Sequence, residues 1–120
     1  MKQIPVYDHT EEQINVYTHA FGFILSIAAF ILLISKASTW GSTKHMFSFS
    51  VFGASLILLY AASTLYHSAK HPKARYVLNI LDHASIYVLI AGTYTPFALI
   101  TLQNNGGELL FYVIWRCLDV

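Results

Sequence analysis

The sequence predicts an all-α protein, a polytopic bundle of membrane-spanning helices with three full spans and the start of a fourth. Three observations carry that class. Hydrophobic residues make up 56% of the 120-residue chain, charged residues only 11%, and the mean hydropathy is +0.54. Soluble chains carry roughly 25% charged residues, so this chain has less than half the charge needed to coat a globule. Residues 13–35, 45–69 and 83–107 contain no Asp, Glu, Lys or Arg, giving uncharged runs of 23, 25 and 25 residues. A helix needs about 20 apolar residues to cross a bilayer, at roughly 1.5 Å rise each. Finally, the few polar residues inside these runs recur at helical spacing. A net charge of +1 excludes a nucleic-acid binder with a basic surface, and the composition excludes a disordered tail and argues against a soluble enzyme domain.

The elements follow in order, as one membrane domain over residues 1–120. The N-terminal stretch, MKQIPVYDHTEEQIN, is too acidic and polar for a signal peptide, so the first apolar run is expected to stay as a membrane helix over residues 16–35. The segment SKASTWGSTKH (35–45) is expected as a loop, followed by a second span over 46–67. A basic loop, SAKHPKAR, leads to a third span over 76–102, in which GTYTP (92–96) predicts close packing at Gly92 and a kink at Pro96, whose nitrogen has no proton to donate. QNNGGE is a turn. Residues 109–115 begin a fourth apolar stretch that Arg116 and Asp119 interrupt. Seven apolar residues cannot cross a bilayer, so the expectation is a truncated chain whose final RCLDV reflects a truncation or frameshift; the alternative is a three-span protein with a short interfacial tail. The single cysteine, Cys117, excludes an internal disulfide and reads as an idle thiol.

Lys and Arg in short loops set orientation. Lys2, Lys70, Lys73 and Arg75 fall on one side, Lys36 and Lys44 on the other, which predicts a cytoplasmic N-terminus and a multi-pass cell-membrane protein.

Polar residues inside spans are costly and face the bundle interior. Glu12, Asn15, His19, Gly22 and Ser26 are spaced 3, 4, 3 and 4, which places them on one face of the first span. Tyr60, Ser63 and His67 share a face near the end of the second, and Asn79, Asp82, His83 and Ile86 open the third. Three spans thus bring polar residues to one layer, on the cytoplasmic side in the orientation above. Each has a plainer reading. Asn15 and His19 could serve as interfacial or interhelical hydrogen-bonding groups. Ser63 could bond back to the carbonyl of residue 59, and His67 could be a structural histidine at the membrane boundary. Asp82 could pair with Lys73 or Arg75 at headgroup level. The HSAKH pair, His67 and His71, imitates an i, i+4 metal pair, but Pro72 pushes residue 71 out of helical conformation.

Read together, E-x-x-N-x-x-T-H-x-x-G (Glu12, Asn15, Thr18, His19, Gly22), S-x-x-x-H (Ser63, His67) and L-D-H-x-S-I-Y-x-L-I-A-G-T-Y-T-P from Leu81 to Pro96 resemble the hemolysin III family. That family is the bacterial branch of the progestin and adiponectin receptor superfamily. The resemblance runs from about residue 11 to 115 and implies the first half of a seven-helix fold with a cytoplasmic N-terminus. It further implies a zinc ion in the inner leaflet, held by His67 and by two histidines of an H-x-x-x-H motif on the last helix. Asp82 would contact a water on that metal, and Ser63 would lie beside it. The superfamily relatives look like lipid amidases of the ceramidase type, while bacterial members carry a hemolysin name and a suggested pore-forming activity.

Zinc with three protein ligands and one water is a catalytic arrangement, and such a metal lowers the pKa of its water toward about 7. On this reading Ser63 and Asp82 are the candidate catalytic residues and His67 the metal ligand. Glu12, Asn15, His19 and His83 are supporting or structural. The H-x-x-x-H helix is absent from these 120 residues, so the chain as given is expected not to be a competent hydrolase. Its expected partners are membrane lipids, with no nucleic acid, and either a second copy or the missing helices. A membrane-permeabilising protein is the alternative function and a receptor-like sensor a remote one. A pore wants a continuous polar face, and residues 23–34 and 49–59 offer only isolated serines and a glycine.

Overall fold

The computed structural model describes residues 7–119, and within them every regular element is helical. Helix α1 spans His9–Trp40, α2 Thr43–Ser68, α3 Pro72–Pro96 and α4 Gly107–Arg116. A π-helical turn, Phe97–Thr101, continues α3, and a 3-10 turn, Cys117–Asp119, follows α4. Helices α1 and α2, and α3 with its π-helical extension, are each long and apolar enough to cross a membrane. Lys2, counted in the orientation argument, and Val120 of the terminal RCLDV lie outside the described residues.

All three long helices start before the apolar windows that announced them, and α1 and α2 also run past their ends. At 1.5 Å per residue α1 is about 48 Å long, against about 30 Å of hydrocarbon. The expected loop over 35–45 is corrected to a two-residue connection, Gly41 and Ser42. Helix α1 continues because Lys36 lies over the Trp40 ring one turn later, 5.6 Å from its centroid. It stops at Gly41, which takes φ 66° and donates its N–H to the carbonyls of Ala37 and Ser38. Hydropathy marks where apolar residues run out, whereas a helix ends where a residue can enter the left-handed region at low cost. Trp40, His45 and Phe49 then pack edge-on across the turn, with centroids 4.7 Å apart for Trp40–His45 and 5.6 Å for Trp40–Phe49.

Helix α2 is central, packed on α1 along one side and on α3 along the other. The described residues form a slab of 49 × 32 × 17 Å, little more than one helix diameter thick. The buried residues of the contacts are mostly small, among them Ser48, Gly53, Ala62, Ser85 and Ala91. Large apolar side chains such as Phe21, Ile24, Leu32, Leu58 and Tyr87 lie outside. That inversion of a soluble core is what lipid dictates, since acyl chains solvate Leu and Phe as well as another helix would, and close backbone approach has to provide the attraction. Gly53 lies against the Phe30 ring, and Gly92 lies against Ser55 with no room for a Cβ, which is the close packing expected there.

At Pro96 the hydrogen-bond register changes, and Leu102 donates to Phe97, five residues back, at 3.0 Å. This wide turn follows directly on Pro96, where the sequence predicts a kink. It also forms the seat for α4, where Gly107 lies against the Ala98 carbonyl and Trp115 donates its indole N–H to Thr95 Oγ1 at 2.9 Å. The QNNGGE turn is in place, with Asn104 and Gly106 at positive φ.

Candidate functional site

The polar face of α1 turns toward α2, so the clusters noted on the first two spans meet. Glu12 and His19 are seven residues apart, two helical turns on one face, and each reaches a different residue of α2. At the lower level the Glu12 carboxylate lies 3.5 Å from His67 Nδ1. At the upper level a hydrogen bond joins His19 Nδ1 to Ser63 Oγ. The two imidazole rings stand perpendicular, with centroids 5.7 Å apart, and Tyr60 closes the upper level edge-on to His19 at 6.1 Å. Gly22 lies beneath the Tyr60 ring with no space for a Cβ. The alternative in which Ser63 bonds back to residue 59 is therefore replaced by a bond to a neighbouring helix.

Arg75, from the first turn of α3, fastens the lower level. It donates to Glu12 Oε1 at 2.7 Å, to the Ala69 carbonyl at 3.1 Å and to the Tyr66 carbonyl at 3.4 Å. Its guanidinium carbon lies 4.8 Å from the centroid of the Tyr66 ring. One side chain thus bonds two carbonyls at the end of α2, neutralises the α1 carboxylate and stacks on a fully buried tyrosine. Glu12 and Arg75 are 18% and 19% exposed, so the pair is shielded from water on most sides. Tyr7 adds its ring to the His67 edge at 5.5 Å. Burial, helped by Tyr66 and by the Glu12 carboxylate, holds the Tyr7 phenol above its ordinary pKa, so it covers His67 as a neutral group.

His67 is only 8% exposed, and its Nδ1 has no hydrogen-bond partner; Glu12 Oε2, the Tyr66 hydroxyl and Asn79 Nδ2 are likewise buried and unpartnered. Asn79 and Asp82 lie four and seven residues beyond Arg75, on the same side of α3. Seven residues rise about 10.5 Å, which brings Asp82 to the depth of His19. Asp82 is half-buried and forms no ion pair among the described residues. The pairing of Asp82 with Arg75 is therefore corrected, because Glu12 takes the guanidinium instead. His83 is exposed and bonds the Asn79 carbonyl of its own helix at 2.8 Å, apart from the layer. Asn15 is half-buried. His71 is exposed at the cap of α3 and shares no helix with His67.

Arg75 and Tyr66 were not among the candidate site residues. The available signal was the position of Arg75 one turn before Asn79, which puts a cation on the polar face of α3 rather than in the basic loop.

Among the described residues no three His, Cys, Asp or Glu groups come together as a metal site. His67 alone does not satisfy the three-ligand requirement of catalytic zinc, so the residues present do not by themselves hold the metal that the resemblance implies.

Residues 7–118 match the family described as "Haemolysin-III related". The chain is 52% identical over 105 residues to "Hemolysin-3" of Bacillus cereus, covering 88% of this chain and 48% of that protein. It is 49% identical over 105 residues to the "Hemolysin-3 homolog" of Bacillus subtilis (strain 168), covering 88% of this chain and 49% of the relative. No solved structure matches it. The chain spans about half the length of these curated relatives. With three apolar helices of membrane-crossing length and a family match along nearly its whole length, it is a multi-pass membrane protein belonging to the haemolysin III family.

Proposed function

We propose that this chain supplies one half of a zinc-dependent site for hydrolysis of lipid amides in the cytoplasmic leaflet, the other metal ligands coming from helices outside these 120 residues. The supporting observation is the burial of Ser63 and His67 against Glu12, His19 and Arg75, in spans whose remaining length is apolar. Ionisable groups held inside a membrane cost several kcal/mol unless paired and are kept for function. A zinc ion bound by His67 and two further histidines would polarise a lipid carbonyl and supply an activated water. Ser63 would hydrogen-bond the reacting carbonyl group, and Asp82, at the depth of His19, would take up a proton. The Lys and Arg distribution supports a cytoplasmic N-terminus, which would give the site access to lipids of the inner leaflet. The open faces of the slab would receive either the additional helices or a second copy.

The printed names of the relatives favour a second reading, membrane permeabilisation. One experiment separates the two. The chain joined to the C-terminal half of the Bacillus cereus relative is reconstituted in liposomes, and amide hydrolysis and dye release are followed with and without Asp82→Ala. Hydrolysis abolished by the substitution supports the hydrolase. Dye release with no hydrolysis, unchanged by Asp82→Ala, overturns it in favour of the permeabilising reading.

A further inference from the structure

Helical serines and threonines in apolar surroundings return their hydroxyl to a carbonyl three or four residues back, since nothing else there can accept it. Ser48 and Thr64 are buried without a partner, whereas nine helical hydroxyls among the described residues do so, including those of Ser26, Ser55 and Ser85. Ser63 is as buried as these, at 4% exposure, and has the same helical carbonyls behind it. Its hydroxyl instead meets His19 Nδ1 across the α1–α2 contact. The His19 ring has little freedom there, standing edge-on to Tyr60 on one side and to His67 on the other.

We propose that His19 is the positioning residue for Ser63: its Nδ1 draws the hydroxyl away from the α2 backbone and holds it toward the polar layer that contains His67. The proposal rests on the reading of Ser63 as a group of the hydrolytic site and assigns the residue that aims it. Without His19 the hydroxyl would turn back to its own helix, and Ser63 would become one more satisfied helical serine. The choice of ring nitrogen gives the proposal its test. Asparagine places a polar atom where Nδ1 lies, whereas glutamine reaches toward the Nε2 position, so His19→Asn keeps the interaction and His19→Gln does not.

The test is carried out on the full 120-residue chain in lipid bicelles, labelled with ¹⁵N-histidine and ¹³C-serine. The Ser63 Cβ chemical shift reports its side-chain rotamer, and the back-bonded Ser26, Ser55 and Ser85 provide references in the same spectrum. The expected result is a Ser63 Cβ shift distinct from those three in wild type and in His19→Asn, and moved onto them in His19→Gln. Ser63→Ala, a small change at a helical site, keeps the question open should a His19 variant fail to fold; it is expected to move the Nδ1 resonance of one imidazole. A Ser63 shift already among the references in wild type, or unchanged in His19→Gln, overturns the proposal, as does an Nδ1 resonance indifferent to Ser63→Ala. The spectra need neither metal nor turnover, so their outcome is independent of whether the extended protein hydrolyses lipid amides.

Discussion

Cutting the Glu12–Arg75 clasp should destabilise the three-helix layer more than any other single polar change. The pair is bridged at 2.7 Å with both side chains about four-fifths buried. Removing one partner of a buried pair costs about 3–5 kcal/mol, because the survivor is left charged and unpaired; exposed pairs give about 0–1 kcal/mol. The remaining fifth of exposure places Glu12→Ala at about 2–3 kcal/mol by interpolation. Arg75→Ala should cost about 3–5 kcal/mol, since it also gives up the bonds to the Tyr66 and Ala69 carbonyls and the stacking on Tyr66. The two losses share one interaction, so the double variant should fall short of their sum by at least about 1 kcal/mol. The assay is reversible unfolding in mixed micelles, followed by helical circular dichroism and by tryptophan fluorescence. Single costs under about 0.5 kcal/mol, or strict additivity, would show that the clasp is solvated and would refute the reasoning.

The second ion pair provides the contrast. Lys44 and Glu108 lie 3.6 Å apart with side chains 39% and 72% exposed, and Glu108→Gln should change stability by less than about 0.5 kcal/mol in the same assay. Gly92→Ala should cost about 1–3 kcal/mol by driving a methyl into Ser55; Ser55→Gly, made in the same chain, should recover part of it, and no recovery would mean that the clash lies elsewhere. Thr95→Val should remove the acceptor of the Trp115 indole N–H, cost about 1 kcal/mol and change the Trp115 emission in a Trp40→Phe background. Gly41→Ala, at φ 66°, should cost about 1–2 kcal/mol through left-handed strain alone, with no change in the spectra of the polar layer.

The fold class was legible because uncharged runs of 23 to 25 residues have few alternatives to a membrane. The face that α1 turns toward α2 was legible in the 3, 4, 3, 4 spacing from Glu12 to Ser26, because a helix face is a local property of sequence. The helix ends were less so. Residues 36–40 read as loop by hydropathy, yet they form another turn that Lys36 and Trp40 hold together. The partner of Arg75 was not legible either. Lys73 and Arg75 precede Asp82 closely in sequence, which suggested a local pair; the true partner, Glu12, lies 63 residues away and is reached only because α2 returns the chain to the starting side. A similar long-range choice separates Ser63 from Ser26, Ser55 and Ser85: the motif S-x-x-x-H names the residue, but nothing in it says that His19 shares the bond. The metal, finally, is a matter of ligand count. One buried histidine is on these helices, and on the proposed reading the remaining ligands would come from helices outside these residues.

The most direct test of the central claim, that these helices carry half of a zinc site, is the zinc content of two purified proteins by elemental analysis. One is the 120-residue chain, and the other is the chain joined to the C-terminal half of the Bacillus cereus relative. The account predicts zinc near one per chain in the longer protein, lost on His67→Ala, and none retained by the shorter one. Near-stoichiometric zinc on the 120-residue chain would contradict the half-site and turn attention to His19, His71 and His83 as ligands, whereas zinc on neither protein would contradict the metal-dependent hydrolase itself.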